Sequence, residues 1–123
     1  TKANITECIG EAAVNISGHL NAKAIVVPTE TGYTARMIAK FRPINTVIAY
    51  SRDVHTLRSL SLTYGVTPLL GVRHMTTDEL LADVVKRSKE EGLVKAKDVI
   101  VVTGGFCIGQ TGATNFLKID TVE

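Results

Sequence analysis

The sequence from residue 24 to residue 37 reads AIVVPTETGYTARM, and it contains a strand, a tight turn and the start of a helix. The apolar run at residues 24–27 is long enough for a strand that is buried on both faces. Hydroxyl side chains then surround one glycine at residues 28–34. Ala35, Ile38 and Ala39 give the segment that follows one apolar side, as in a helix.

The turn between this strand and this helix has the features of a phosphate-binding site. The first N–H groups of a helix have no partner within the helix, and they lie at the positive end of its dipole. Thr29, Thr31 and Thr34 can add hydroxyl donors, and Gly32 lets the backbone approach a ligand closely. Threonines at a helix start also act as structural caps, so a structural role for the turn stays open.

The rest of the chain repeats the order of strand and helix. Helices are predicted over residues 3–18, 32–41, 53–64 and 77–91, and strands over residues 23–28, 46–50, 66–70, 98–103 and 115–120. Strands that alternate with helices indicate a parallel sheet with helices on both faces. The loop before the last strand is too short for a crossover helix, so that strand should run antiparallel. We therefore predict a three-layer α/β/α fold with a five-stranded mixed sheet.

Apolar spacing also predicts which side of each helix is buried. The first helix is predicted to bury Ile5, Cys8, Ile9, Ala12, Ala13 and Ile16, and the third to bury Val54, Leu57, Leu60 and Tyr64.

A glycine-rich stretch follows the fourth strand and fits no periodic structure. Its glycines are Gly104, Gly105, Gly109 and Gly112. In open parallel sheets, ligands bind at the carboxyl ends of the strands, where the winding reverses. If strand 1 is central, with strands 2 and 3 on one side and 4 and 5 on the other, the reversal lies between strands 1 and 4. The 29–34 turn and the loop at residues 104–113 would then face each other across one crevice.

Composition excludes several other classes of protein. A hydrophobic content of 45% in 123 residues supports one domain with a real core. A net charge of +2 and an aromatic content of 5% argue against a nucleic-acid partner. No apolar run is long enough to cross a membrane. Cys8 and Cys107 have no metal or disulfide spacing, so we expect free thiols and a cytoplasmic protein.

No catalytic or metal-binding set is predicted. His19, His55 and His74 lack the spacing of metal ligands, and the sequence places no base beside Cys107. The phosphate-binding GxxxxGK[ST] motif and the dinucleotide-binding GxGxxG motif are both absent after strand 1. A phosphate at the turn requires the Glu30 carboxylate to point away from it. Arg36 and Arg52 could add charge to the crevice, but the simpler expectation is that both face solvent.

Three long segments together resemble the C-terminal domain of pyruvate kinase. They read KAIVVPTETGYTARMIAKFRP, VIAYSRDVHTLRSLSLTYGVTPLL and GLVKAKDVIVVTGGFCIGQTGATNFLKI. The resemblance spans nearly all of residues 1–123 and implies the strand order 3-2-1-4-5 with the last strand antiparallel. It also implies that the family's catalytic barrel, with its magnesium and potassium, is absent here. Because the chain starts at Thr1 without methionine, we expect a part of a longer protein that alone has no kinase activity.

The resemblance further implies an allosteric site for a phosphorylated effector and subunit contacts in a homotetramer. The residues implied to hold a phosphate are Thr29, Glu30, Thr31, Gly32, Tyr33 and Thr34. The loop implied to close over the ligand includes Gly104, Gly105, Gly109, Gln110, Thr111 and Gly112. The chain lacks tryptophan and the Trp-Arg-Pro stretch of family members that bind fructose 1,6-bisphosphate, which makes an effector with one phosphate plausible. The alternative is a structural module that assembles through its edge strand at residues 114–120.

Overall fold

The structure is a computed structural model that describes residues 5–72, 76–104 and 116–123. Its helices are α1 (Ile5–Leu20), α2 (Tyr33–Lys40), α3 (Val54–Leu60) and α4 (Thr77–Glu90). Its strands are β1 (Ala24–Pro28), β2 (Thr46–Ser51), β3 (Val66–Leu70), β4 (Val99–Gly104) and β5 (Phe116–Thr121). They form one sheet in the order β3-β2-β1-β4-β5, with β5 antiparallel to β4 and the other pairs parallel. The predicted three-layer fold and strand order are confirmed.

The central strand β1 is buried because helices cover both faces of the sheet. Ile25 and Val27 pack with side chains of α2 and α3 on one face. Ala24 and Val26 pack with α4 on the other. All four side chains are at most 1% exposed. The continuous apolar run in the sequence is therefore the result of burial on two sides, since successive residues of a strand point to opposite faces.

Helix α1 packs through small side chains, so of the predicted stripe only Ala13 is fully buried, and the prediction is wrong for Ile5 and Cys8. Its buried residues are Thr6, Gly10, Ala13 and Ser17. Ile5 is 69% exposed, and Cys8 is also exposed. A Cβ atom on Gly10 would lie 3.4 Å from Ile38 Cγ1, so α1 lies close to α2. Close packing between helices selects small residues, whereas the spacing rule selected the most hydrophobic ones.

Helix α3 is shorter than predicted and ends at Leu60. The Ser61 hydroxyl donates to the Arg58 carbonyl at 2.6 Å, so a side chain takes an acceptor of the last turn and the chain leaves the helix there. Tyr64, predicted to be buried, is 84% exposed, and its ring centroid lies 5.9 Å from the Arg42 guanidinium. Val54 is also largely exposed, so only Leu57 and Leu60 of the predicted set are buried.

A polar cluster joins β2 to α4 on the opposite face of the sheet. The Tyr50 hydroxyl donates to Asp83 Oδ2, and Arg87 Nε donates to the same oxygen at 2.8 Å. The Val72 N–H donates to the Tyr50 hydroxyl at 3.4 Å. Gly71 lies against the tyrosine ring, where a Cβ atom would approach Tyr50 Cζ to 2.3 Å. This position therefore has no room for a side chain.

The end of the chain returns to the start of β4. Beyond β5, the Val122 N–H donates to the Asp98 carbonyl at 2.8 Å, and the Lys97 N–H donates to the Val122 carbonyl at 2.7 Å. Val122 is 3% exposed and belongs to the core on the α4 face. The final residues are thus held beside the amino-terminal ends of the parallel strands.

Candidate functional site

The carboxyl ends of β1 and β4 lie side by side. The two strands pair in parallel from Ala24 opposite Ile100 to Val26 opposite Val102. A Cβ atom on Gly104 would lie only 3.0 Å from the Pro28 carbonyl oxygen, so this close approach favours glycine. The 29–34 turn therefore begins beside the start of the glycine-rich loop. The other predicted loop residues lie outside the described part of the chain: Gly105, Gly109, Gln110, Thr111 and Gly112.

The 29–34 turn bends at Gly32, which precedes α2 with φ 87° and ψ −5°. This left-handed conformation favours glycine. The Gly32 N–H donates to Thr29 Oγ1 at 2.9 Å, and the Tyr33 N–H donates to Thr31 Oγ1 at 3.3 Å. The two hydroxyls thus accept bonds from the backbone, as caps do. Because a hydroxyl can accept and donate together, each also has a proton to donate to a ligand.

Side chains of α2 and α3 donate to two carbonyls of the turn. The Glu30 carbonyl accepts from Thr56 Oγ1 at 2.7 Å, and the Thr31 carbonyl accepts from Arg36 Nη1 at 3.2 Å. Arg36 Nη2 also donates to Ser59 Oγ at 2.7 Å. The expectation that Arg36 simply faces solvent is therefore wrong, since the residue is half-buried and its guanidinium joins the turn to α3.

Sequence reasoning missed the role of Arg36, although one signal was available. Gly32 stands four residues before Arg36, and a missing side chain leaves space for a neighbour at that spacing. A Cβ atom on Gly32 would lie 3.1 Å from Arg36 Nη1 and 3.3 Å from its guanidinium carbon. Glycine at this position thus favours the observed position of the arginine as well as the bend.

The acidic side chain of the turn has a basic partner. The Glu30 carboxylate lies 3.8 Å from the Arg52 guanidinium, and both side chains are about half exposed. Such a pair stabilises the fold by at most about 1 kcal/mol, but it neutralises the one acidic side chain of the turn. The other site residues differ in accessibility: Thr29 is half-buried, Thr31 and Tyr33 are exposed, and Gly32 and Thr34 are buried.

Two of the three histidines lie on described helices. His19 lies near the end of α1 and His55 near the start of α3, while His74 and Cys107 lie outside the described residues. Across residues 5–72, 76–104 and 116–123, no three His, Cys, Asp or Glu side chains come close enough to hold a metal ion. Within these same ranges, no helix combines the length and the apolar character that crossing a membrane requires.

Comparison with known sequences identifies relatives over nearly the full chain. The sequence model of the family described as "Pyruvate kinase, alpha/beta domain" matches residues 7–120. The pyruvate kinase of Sporosarcina psychrophila is 41% identical over 119 residues, covering 97% of this chain and 20% of the relative. That of Lactobacillus delbrueckii subsp. bulgaricus is 38% identical over 120 residues, covering 98% of this chain and 20% of the relative. The chain thus spans about a fifth of the length of these relatives.

Solved structures agree with this relationship. A crystal structure of Cryptosporidium parvum pyruvate kinase superposes with a TM-score of 0.86 at 28% identity, covering all of this chain and 23% of that one. The same organism's pyruvate kinase in complex with ADP superposes with a TM-score of 0.88 at 27% identity, covering all of this chain and 25% of that one. Sequence and fold lead to the same assignment: this chain belongs to the pyruvate kinase alpha/beta domain family.

Proposed function

We propose that this chain is the effector-binding part of a pyruvate kinase and that its 29–34 turn binds the phosphate of a small molecule. One observation carries the proposal. The turn lies at the carboxyl end of β1, beside β4, and two of its threonine hydroxyls accept backbone N–H groups while keeping their own protons. The start of α2 adds N–H groups at the positive end of a helix dipole. The loop at residues 104–113 would close over the ligand.

The expected affinity is in the micromolar range. Hydrogen bonds to a charged group contribute about 1.5–3 kcal/mol each. Three or four of them to one phosphate would give roughly micromolar dissociation constants after the cost of association. A ligand with one phosphate fits the single hydroxyl-rich turn and the absence of tryptophan. Hexose, pentose and nucleoside monophosphates are therefore the proposed ligand class.

In the whole protein, this chain would regulate a reaction that takes place in another domain. The proposed reaction transfers a phosphoryl group from phosphoenolpyruvate to ADP in a separate barrel domain, which would hold the magnesium and potassium. The ligand would favour one arrangement of the turn and loop, and a neighbouring subunit of a cytoplasmic homotetramer would respond to it. The present chain contributes no catalytic residue to this proposal.

Thermal unfolding with a ligand panel tests the proposal. A ligand at a hundred times its dissociation constant stabilises the folded state by about 2.7 kcal/mol, which raises the melting temperature by several degrees. We expect such a rise with at least one of ribose 5-phosphate, glucose 6-phosphate and AMP. Ribose, glucose and adenosine are the matched controls and should give no rise. An unchanged melting temperature with every phosphorylated compound would contradict the proposal.

A charge substitution at Thr31 tests the site itself. Thr31 is exposed and its side chain caps the Tyr33 N–H, a bond that Asp and Asn can also accept. Thr34 is buried and is therefore a poorer position for a new charge. We expect Thr31→Asp to weaken binding at least about tenfold, because two negative charges about 4 Å apart repel by roughly 1–4 kcal/mol. Thr31→Asn gives a side chain of nearly the same shape as Asp but without the charge, so this variant should lose much less affinity. Equal calorimetric losses in both variants would exclude the turn as the site.

A structural assembly module is the second candidate, and the edge strand favours it. β5 pairs with β4 on one side, and no strand of the described residues lies on its other side. Ile119 on this strand is 49% exposed. Open strand edges pair readily with a strand of another chain. Such a module would self-associate and would show no stabilisation by the ligand panel.

A further inference from the structure

Two neighbouring peptide groups of the 29–34 turn are held by side chains from outside it. The Glu30 carbonyl accepts a hydrogen bond from the Thr56 hydroxyl, and the Thr31 carbonyl accepts one from the Arg36 guanidinium. In a trans peptide, the C=O and the following N–H point in opposite directions. The bond to the Thr31 carbonyl therefore also fixes the direction of the Gly32 N–H, which points to Thr29 Oγ1 at 2.9 Å.

The peptide group between Thr31 and Gly32 is the one most able to turn over. A glycine populates positive and negative φ with similar ease, so Gly32 at φ 87° presents little backbone resistance to such a rotation. After rotation, the Thr31 carbonyl oxygen would replace the Gly32 N–H on the Thr29 side. A carbonyl oxygen there would repel an anion and would accept the proton of the Thr29 hydroxyl, whereas the N–H leaves that proton to be donated to the anion.

We propose that Arg36 is a positioning residue that keeps this peptide group in the orientation that accepts an anion. The inference rests on the proposed phosphate-binding function of the turn. Arg36 acts through the Thr31 carbonyl and is held in place by its second bond to Ser59. Lysine cannot replace it fully, because its compact ammonium lacks the rigid planar fork that places Nη1 on the Thr31 carbonyl and Nη2 on the Ser59 hydroxyl.

Substitution of Arg36 tests the proposal by calorimetry with ribose 5-phosphate and glucose 6-phosphate. We expect Arg36→Met to weaken binding at least about tenfold, the effect of losing one hydrogen bond that involves a charged group. Arg36→Lys should recover only part of the loss. Ser59→Ala keeps the bond to Thr31 and should cause a smaller loss, and it gives a second test if Arg36→Met folds poorly.

Nuclear magnetic resonance of the unliganded chain separates positioning from direct ligand contact. If Arg36 holds the peptide group, the Gly32 amide signal of Arg36→Met should shift or split before any ligand is added. An unchanged Gly32 signal together with weaker binding would overturn the positioning role, because it would leave direct contact with the ligand as the explanation.

Arg58→Met is the matched control. Arg58 is an exposed arginine on α3, so its substitution removes the same charge close to Ser59 without removing a bond to the turn. Its affinity should stay within about twofold of wild type, since exposed charges are screened. If Arg36→Met also binds as tightly as Arg58→Met, the inference is wrong while the effector site remains supported. If wild type binds no phosphorylated probe, the proposed function fails and this inference fails with it.

Discussion

Among single residues, Tyr50 has the most unusual chemical environment. Burial, together with the hydrogen bond to Asp83, raises the pKa of the Tyr50 hydroxyl to about 12. The side chain is only 3% exposed. The phenol is therefore a permanent donor to Asp83 at neutral pH, and it connects β2 to α4 through the Asp83–Arg87 pair.

This environment predicts a loss of stability in alkali. The pKa of Tyr50 in the folded state lies above the value near 10 of an unfolded tyrosine. The protonated hydroxyl therefore contributes fully to the free energy of unfolding below pH 10, and this contribution disappears as the pH rises toward 12. A shift of this size corresponds to about 3 kcal/mol at most. In urea unfolding between pH 8 and pH 11.5, the wild-type free energy should therefore fall more steeply than that of Tyr50→Phe. Tyr64→Phe, at an exposed tyrosine, should behave like wild type, and identical slopes in all three proteins would refute the assignment.

Residue identity predicts the 29–34 turn but not the bonds that hold it. The threonines and Gly32 lie directly after an apolar strand, so local sequence indicates their grouping. The groups that hold the turn are different, because Thr56 lies 26 residues from the Glu30 carbonyl that it bonds, and Ser59 lies 23 residues from Arg36, which bonds the Thr31 carbonyl. Their positions depend on how α3 packs, which no local spacing encodes.

At the level of secondary structure, helix α1 shows how packing distance decides which side is buried. Gly10 and Gly18 both lie in α1, but a Cβ atom on Gly10 would contact side chains of Ile38, Met37 and Phe41. A Cβ atom on Gly18 would meet nothing within 4 Å. The two glycines thus form an internal comparison between a packed and an open position of one helix.

The comparison gives a prediction for stability. Gly10→Leu should lower the free energy of unfolding by about 1–3 kcal/mol, because extra atoms must separate α1 from α2. Gly18→Leu should leave it unchanged or raise it by up to about 1 kcal/mol, because leucine favours helix more than glycine does. Chemical unfolding monitored by circular dichroism measures both. Equal effects of the two substitutions would show that α1 does not pack as described.

Strands were easier to predict than helix faces and helix ends. A strand such as β1 is buried on both sides, so every residue carries the same apolar signal. In α1, small and hydroxyl residues face the core, and in α3 a serine hydroxyl ends the helix before the apolar spacing ends. Both features depend on specific contacts, and the spacing of hydrophobic residues does not predict such contacts.

For the molecule as a whole, the alternation of strands and helices predicted the three-layer fold and the mixed sheet, whereas the full strand order was conditional until the family resemblance implied it. Short crossovers leave few ways to arrange a parallel sheet, and the short connection before β5 made that strand antiparallel. The 29–34 turn lies beside the start of the glycine-rich loop as a result of this topology, because β1 and β4 are neighbours. The closing loop stays a prediction, since residues 105–115 lie outside the described chain.

The open edge of β5 predicts the state of assembly. If β5 pairs with a second copy, wild type should sediment as a dimer or larger species at micromolar concentration. Ile119→Lys should shift it toward the monomer, because charged side chains on an edge strand oppose pairing. Lys118→Arg keeps the charge of the neighbouring position and is the control. Monomeric wild type would contradict the pairing, and the effector proposal would be unaffected.

The antiparallel course of β5 has a practical consequence for measuring binding. This six-residue strand starts opposite Gly104, beside the 29–34 turn. It runs about 20 Å along β4 to the end of the sheet where the parallel strands begin. Val122 is then anchored next to Lys97 and Asp98. A tether fused after Glu123 would therefore attach the molecule to a sensor surface by its far end, leaving the turn open to the flowing solution.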